Sequence, residues 1–151
     1  MSNDIALALL KKLGKGFNSG NIEAVLECVT DDFEWILASG PDAPQGRVVR
    51  GREAVAATMA ARAREIPEMR FSDTDLIYAG DRVVGTYRVT GRYADGRRID
   101  ARGCDIYVIR DGKIARKDSY WKHIVGGDAE RVGTDAGRMS TDAGRMSTNA
   151  G

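Results

Sequence analysis

Residues 69–124 read MRFSDTDLIYAGDRVVGTYRVTGRYADGRRIDARGCDIYVIRDGKIARKDSYWKHI. Four runs rich in β-branched and aromatic residues, 69–79, 82–93, 97–110 and 113–124, are punctuated by Ala79-Gly80-Asp81, Ala94-Asp95-Gly96 and Asp111-Gly112. Asp-Gly and other short glycine turns close hairpins, because glycine supplies the positive φ that such turns need. The stretch therefore predicts an antiparallel meander of four strands.

Upstream the apolar period changes from two to between three and four. Ile5, Ala6, Leu9, Leu10, Leu13 and Phe17 line one face of a first helix that ends near Asn18-Ser19-Gly20. Asn21 is placed to cap a second helix whose stripe is Ile22, Val25, Leu26 and Val29. Residues 33–37 read as a short strand, and residues 38–50 as a loop rich in Gly, Pro and Ala. A third helix follows, with Val55, Met59, Ala63 and Ile66 on one side and Pro67 beyond its end. Three N-terminal helices packed on an antiparallel sheet make an α+β domain over residues 1–125.

The rest of the sequence mainly excludes. The chain has 151 residues, a net charge of +1 from 23 basic and 22 acidic residues, and no basic block, so nothing points to nucleic acid. No basic segment followed by an apolar run opens the chain, and no stretch suffices for a membrane span, which reads as a soluble cytoplasmic protein. Cys28 and Cys104 fit neither a CxxC motif nor a disulfide framework and read as free thiols. One histidine and separated cysteines cannot assemble ordinary zinc spacing, and no glycine-rich phosphate loop follows a strand, so no cofactor is expected. In residues 126–151 the heptapeptide Thr-Asp-Ala-Gly-Arg-Met-Ser occurs at 134–140 and again at 141–147. Its glycine and single large apolar group cannot offset ordering entropy, so this composition predicts a disordered tail.

Asn18-Ser19-Gly20-Asn21, Thr30-Asp31-Asp32-Phe33-Glu34-Trp35, Gly51-Arg52-Glu53-Ala54-Val55 and Ile109-Arg110-Asp111-Gly112-Lys113-Ile114 together resemble the nuclear transport factor 2-like superfamily, including its SnoaL-like members. The resemblance implies a cone-shaped α+β roll, a small-molecule pocket and homodimers. It also implies one of several chemistries: ketosteroid isomerases, limonene-epoxide hydrolases, polyketide cyclases and dehydratases share the fold with members that only bind or assemble. Asp105 matches the isomerases' oxyanion-hole aspartate, whereas Leu37 stands at their carboxylate base and Leu13 at their tyrosine. Asp42, in a longer loop, is a displaced alternative base. Arg88 matches the epoxide hydrolases' arginine, but Thr90 and Ser119 stand where their two aspartates would be. Trp35 and Leu37 replace their water-holding tyrosine and asparagine, leaving Asp118 as a carboxylate that only a bulge would turn inward.

Residues on a strand alternate sides, so Val84, Thr86, Arg88, Thr90 and Arg92 share one face and Gly85, Tyr87, Val89, Gly91 and Tyr93 the other. Simple patterning sends the second, more apolar set toward the helices. The resemblance sends the first set there, and that is the expectation adopted, with Tyr87, Val89 and Tyr93 covered by a second subunit at the outer sheet face. The pocket then holds Arg88, Arg92, Asp105, Lys117, Ser119, Trp121 and His123 opposite Trp35, with a surface position at the fraying strand end as the alternative for His123. Arg88 and Arg92 either pair with Asp105 or bind a carboxylate, enolate or phosphate. The functional expectation is a cofactor-free isomerase, cyclase, dehydratase or hydrolase on a small anionic or carbonyl-bearing molecule in a polar pocket. Asp105, His123 and Arg88 are its catalytic groups, and Arg92, Trp35, Trp121, Ser119, Thr90 and Leu37 contact the substrate. The alternative is a non-catalytic binding or dimeric assembly domain with a structural Arg–Asp pair.

Overall fold

The structure is a computed structural model that describes residues 2–126. The division of the chain at residue 126 and the fate of the heptapeptide repeats lie outside the described residues. Helix α1 spans Asn3–Ser19, α2 Ile22–Glu27 and α3 Arg52–Glu65, and the strands are β1 Val29–Asp42, β2 Gly46–Arg50, β3 Arg70–Ala79, β4 Arg82–Arg92, β5 Arg98–Arg110 and β6 Lys113–Trp121. Among the described residues no helix is long and apolar enough to cross a membrane.

The helices begin and end on local chemistry. Ser2 accepts from the Ile5 N–H at the start of α1, and Gly20 closes that helix at φ 70°, a left-handed conformation that suits glycine. Asn21 caps α2 by accepting from the Ala24 N–H at 3.1 Å. Gly16 lets the two helices touch: a Cβ there would lie 2.8 Å from Val25 Cγ2.

The sheet is a curved, mixed sheet of six strands in the order β2-β1-β6-β5-β4-β3. The four-strand meander is present, but the expectation of a wholly antiparallel sheet is corrected, since β1 pairs parallel with β6. The long excursion through α3 and the meander gives the chain enough length to return to β1 in that direction. The loop expected at 38–50 is largely strand: β1 runs on to Asp42 and β2 returns beside it, with Glu34 opposite Arg50 and their side chains 2.7 Å apart. Val48 and Val49 favour that extended conformation.

The expected strand faces are reversed. Val83, Gly85, Tyr87 and Val89 turn inward, with Val89 completely covered, while Arg88 and Arg92 are exposed and Thr90 is half-buried on the opposite side. The register shows why the expected pocket residues do not share one face. Directly opposed residues of an antiparallel pair share a face, and Gly85 faces Asp105 while Arg88 faces Arg102. Asp105 and Arg88 therefore cannot both point into one pocket. Burial selects the alternative, because the stripe of α1 needs Val83, Tyr107 and Ile109 as partners in the core.

Candidate functional site

Between α1 and the concave face of the sheet lies a cavity of about 300 Å³. Its walls are mainly apolar: Leu7, Leu10, Leu13 and Phe17 from α1, and Phe71 and Leu76 from β3. Asn18 closes one side by bonding α1 to β3 twice, accepting from the Phe71 N–H at 2.9 Å and donating to the Phe71 carbonyl at 3.1 Å.

At the sheet end of the cavity polar side chains from three strands converge, and Tyr87, Asp105, Tyr107 and Lys117 among them line it. Asp105, on β5, is 3% exposed. Its Oδ1 accepts from the Tyr87 hydroxyl at 2.8 Å and its Oδ2 from the Tyr107 hydroxyl at 3.0 Å. Lys117 Nζ, on β6, lies 3.2 Å from Oδ2 and donates to Ser119 Oγ at 3.1 Å. Trp121 Nε1 donates to the Tyr87 oxygen at 3.0 Å, so indole, phenol and carboxylate form a chain. Gly85 and Gly103 make room for this cluster. A Cβ at 85 would press on Leu76 and on the Tyr107 ring, and one at 103 would lie 2.7 Å from Trp121 Cδ1 and 3.1 Å from Tyr87 Cε1.

Burial sets the electrostatics. It pushes the Tyr87 and Tyr107 phenols well above their ordinary range, and the neighbouring Asp105 charge pushes the same way, so both stay neutral donors. Burial pushes the Lys117 ammonium down, against the upward pull of Asp105, and the Arg62 charge adds to the lowering. Arg62, half-buried on α3, has its Cζ 4.9 Å from the Trp35 ring centre and 5.8 Å from that of Trp121, and Lys117 Nζ lies 5.0 Å from the centre of Phe17. Among the described residues, Trp35 Nε1 is a buried donor with no partner.

The residues singled out from the sequence divide cleanly. Asp105, Lys117, Ser119, Trp35 and Trp121 surround or abut the polar end. Leu37 is half-buried against the main core, and Leu13 lines the cavity. Arg88 makes a two-pronged pair with Asp100 in solvent, at 2.8 and 2.7 Å, and Arg92 donates to the Gly96 carbonyl of its own hairpin, so neither offers an anion clamp to the cavity. Thr90 shares their outer face. His123 is exposed beyond the end of β6, where no strand holds it toward the cavity. Asp42 is exposed at the β1–β2 turn, and Asp118 points outward to accept from Tyr120. Tyr107 and Arg62 are absent from the set the sequence points to, and Tyr87 stands inside where the outer face is expected for it. Plain apolar alternation already argued for Tyr87 inside, and the spacing Val55, Met59, Arg62, Ile66 sets an arginine within a buried helical stripe. Among the described residues no group of three or more His, Cys, Asp or Glu side chains could hold a metal ion.

Residues 11–117 match the SnoaL-like domain family. Among solved structures, the chain is similar to a candidate polyketide cyclase from Xanthomonas campestris pv. campestris, at 25% identity over 79% of this chain and 91% of that one, with a TM-score of 0.69. A nuclear transport factor 2-like protein from Burkholderia xenovorans superposes at a TM-score of 0.70, with 21% identity over 81% and 92% of the two chains. TerC, crystallised with polyporic acid, gives 0.68 at 21% identity over 78% and 92%. None of the curated proteins matches the sequence.

Proposed function

The chain belongs to the SnoaL-like domain family, and on that footing we propose that it binds a small, largely apolar, carbonyl-bearing molecule and catalyses proton transfer next to the carbonyl group. One observation carries this reading: a carboxylate held by two neutral phenols and a buried ammonium at the end of an apolar cavity. A cavity of about 300 Å³ is at the small end of ligand pockets, which fits a one- or two-ring guest. Leucine and phenylalanine walls select apolar surface and exclude water. In this reading Asp105 accepts the α-proton. The Lys117 ammonium and the tyrosine hydroxyls stabilise the enolate oxygen, and they act strongly because the site is dry. Buried cations thus come from Lys117 and Arg62 instead of Arg88 and Arg92.

A binding domain without catalysis is the second reading, supported by the saturation of Asp105: three donors already occupy its two oxygens. The two separate with 2-acetylnaphthalene as probe. Calorimetry should show it binding more tightly than 2-ethylnaphthalene, and its methyl protons should exchange with deuterated water faster with protein than without, an acceleration lost in Asp105→Asn. Binding without exchange would leave the non-catalytic reading standing; equal affinity for ketone and hydrocarbon would remove the carbonyl from both. Self-association through the outer face of β4 and β5, where Val84, Ile106 and Val108 are half-buried, belongs to the same proposal and is read by light scattering.

A further inference from the structure

Lys117 differs from the other five lysines of the sequence. Lys11, Lys12, Lys15, Lys113 and Lys122 are exposed, whereas the Lys117 side chain is 6% exposed and lines the cavity. Its Nζ lies between Asp105 Oδ2 at 3.2 Å and Ser119 Oγ at 3.1 Å, with the rings of Phe17 and Trp35 at 5.0 and 5.6 Å. The site therefore combines a primary amine, a carboxylate within proton-transfer distance and an apolar chamber.

We propose that Lys117 is a covalent catalyst, condensing with a small ketone or aldehyde in the cavity to form an imine. This goes further than the proton transfer above, and rests on that reading only in that a carbonyl compound must enter the cavity. The ammonium first passes one proton to Asp105, which frees the nitrogen lone pair. The amine attacks the carbonyl carbon; an N–C bond forms as the C=O π pair moves to oxygen. A proton shifts from nitrogen to that oxygen, giving a carbinolamine. Asp105 returns its proton to the hydroxyl, the C–O bond breaks, and water leaves. The product is a protonated imine paired with the Asp105 carboxylate. One carbonyl oxygen leaves as one water, and nothing is oxidised or reduced. The wall chemistry favours each stage. Burial and the Arg62 charge both weaken the ammonium, while the cationic imine keeps the counter-ion the ammonium had. An imine also acidifies the adjacent C–H, so Asp105 would then act on a better substrate than the free ketone.

The test treats the intact protein near neutral pH with pentane-2,4-dione, which gives a stable enaminone with reactive amines, and maps the modified lysines by peptide mass spectrometry. Lys117 should be modified faster than any of the five exposed lysines, because a lowered pKa leaves more of its amine unprotonated near neutral pH. A parallel sample with 2-acetylnaphthalene and cyanoborohydride should carry a reduced, permanent adduct at Lys117. Lys117→Arg, which retains charge and the Asp105 partner, should lose both labels. Labelling of the exposed lysines with Lys117 untouched overturns the proposal. If calorimetry shows the naphthyl ketone bound while Lys117 stays unlabelled by either reagent, the imine is refuted and the binding reading survives. If the dione labels Lys117 but the naphthyl ketone does not bind, the imine stands and the ligand class is wrong.

Discussion

Replacing Asp105 with asparagine should be the most damaging change in the polar cluster. The carboxylate has Lys117 Nζ at 3.2 Å and two tyrosine hydroxyls at 2.8 and 3.0 Å, all out of water. An asparagine keeps one carbonyl oxygen, so one phenol retains an acceptor, the other faces an amide donor, and Lys117 loses its counter-charge. Stranding one member of a buried ion pair costs about 3–5 kcal/mol. For a domain of this size each kcal/mol lowers the melting midpoint by roughly 4 °C, so a fall on the order of 10–20 °C is expected. Lys117→Met in the same chain removes the stranded charge and should restore most of the loss, leaving a coupling of at least ~2 kcal/mol between the two sites. Trp35 and Trp121 abut the cluster, so tryptophan fluorescence during urea unfolding reports directly on it. The pH dependence has a definite sign. Asp105 is the main influence raising the Lys117 pKa, so without it the folded-state pKa falls further below the unfolded value of 10.5. Within that window the unfolded chain binds more protons than the folded one. The deficit of Asp105→Asn must therefore be largest at pH values below the lowered pKa, and must narrow as pH rises through it toward 10.5. If the double variant is destabilised by the sum of the two single changes, or the deficit nowhere narrows as pH rises toward 10.5, the buried pair does not have the role assigned to it.

Arg88→Ala should leave both the melting midpoint and the binding of 2-acetylnaphthalene unchanged, because its pair with Asp100 is half exposed on the far side of the sheet; a calorimetric loss of affinity would return the arginine to the site. Tyr87→Phe removes a hydroxyl that donates to Asp105 and accepts from Trp121, leaving the indole N–H unpaired, and should cost about 1–3 kcal/mol in urea unfolding with the fold retained by circular dichroism. Leu76→Trp would extend the β3 wall into the cavity, at a stability cost of about 1–3 kcal/mol if the ring is overpacked, and should abolish ketone binding in calorimetry. Retained affinity would mean the ligand lies elsewhere.

Much of the architecture was legible because its signals are local. Asn21 caps a helix through its own side chain, Gly20 and Gly112 adopt positive φ, and alternation needs only neighbours, so element order, the hairpins of the meander and the apolar stripe of α1 follow from short windows of sequence. The parallel join of β1 to β6 did not follow, because it depends on a return of chain over some eighty residues, which no local pattern encodes.

The site was legible only in part, and for a related reason. Composition and spacing supplied Asp105 among aromatic strands and an inventory of cations. Which cations accompany it depends on one binary choice per strand, the face turned to the helices. Local alternation states that choice without deciding it. Residue order along each strand establishes two unlike faces, and places Asp105 on one of them. That α1 covers the side bearing Tyr87, Tyr107 and Lys117 comes from packing across the whole domain. Hydrogen-bonded register locks the faces of β4, β5 and β6 together, and the burial of Val83, Val89 and Ile114 under the helices and α3 turns the whole sheet one way, leaving Arg88 and Arg92 in water.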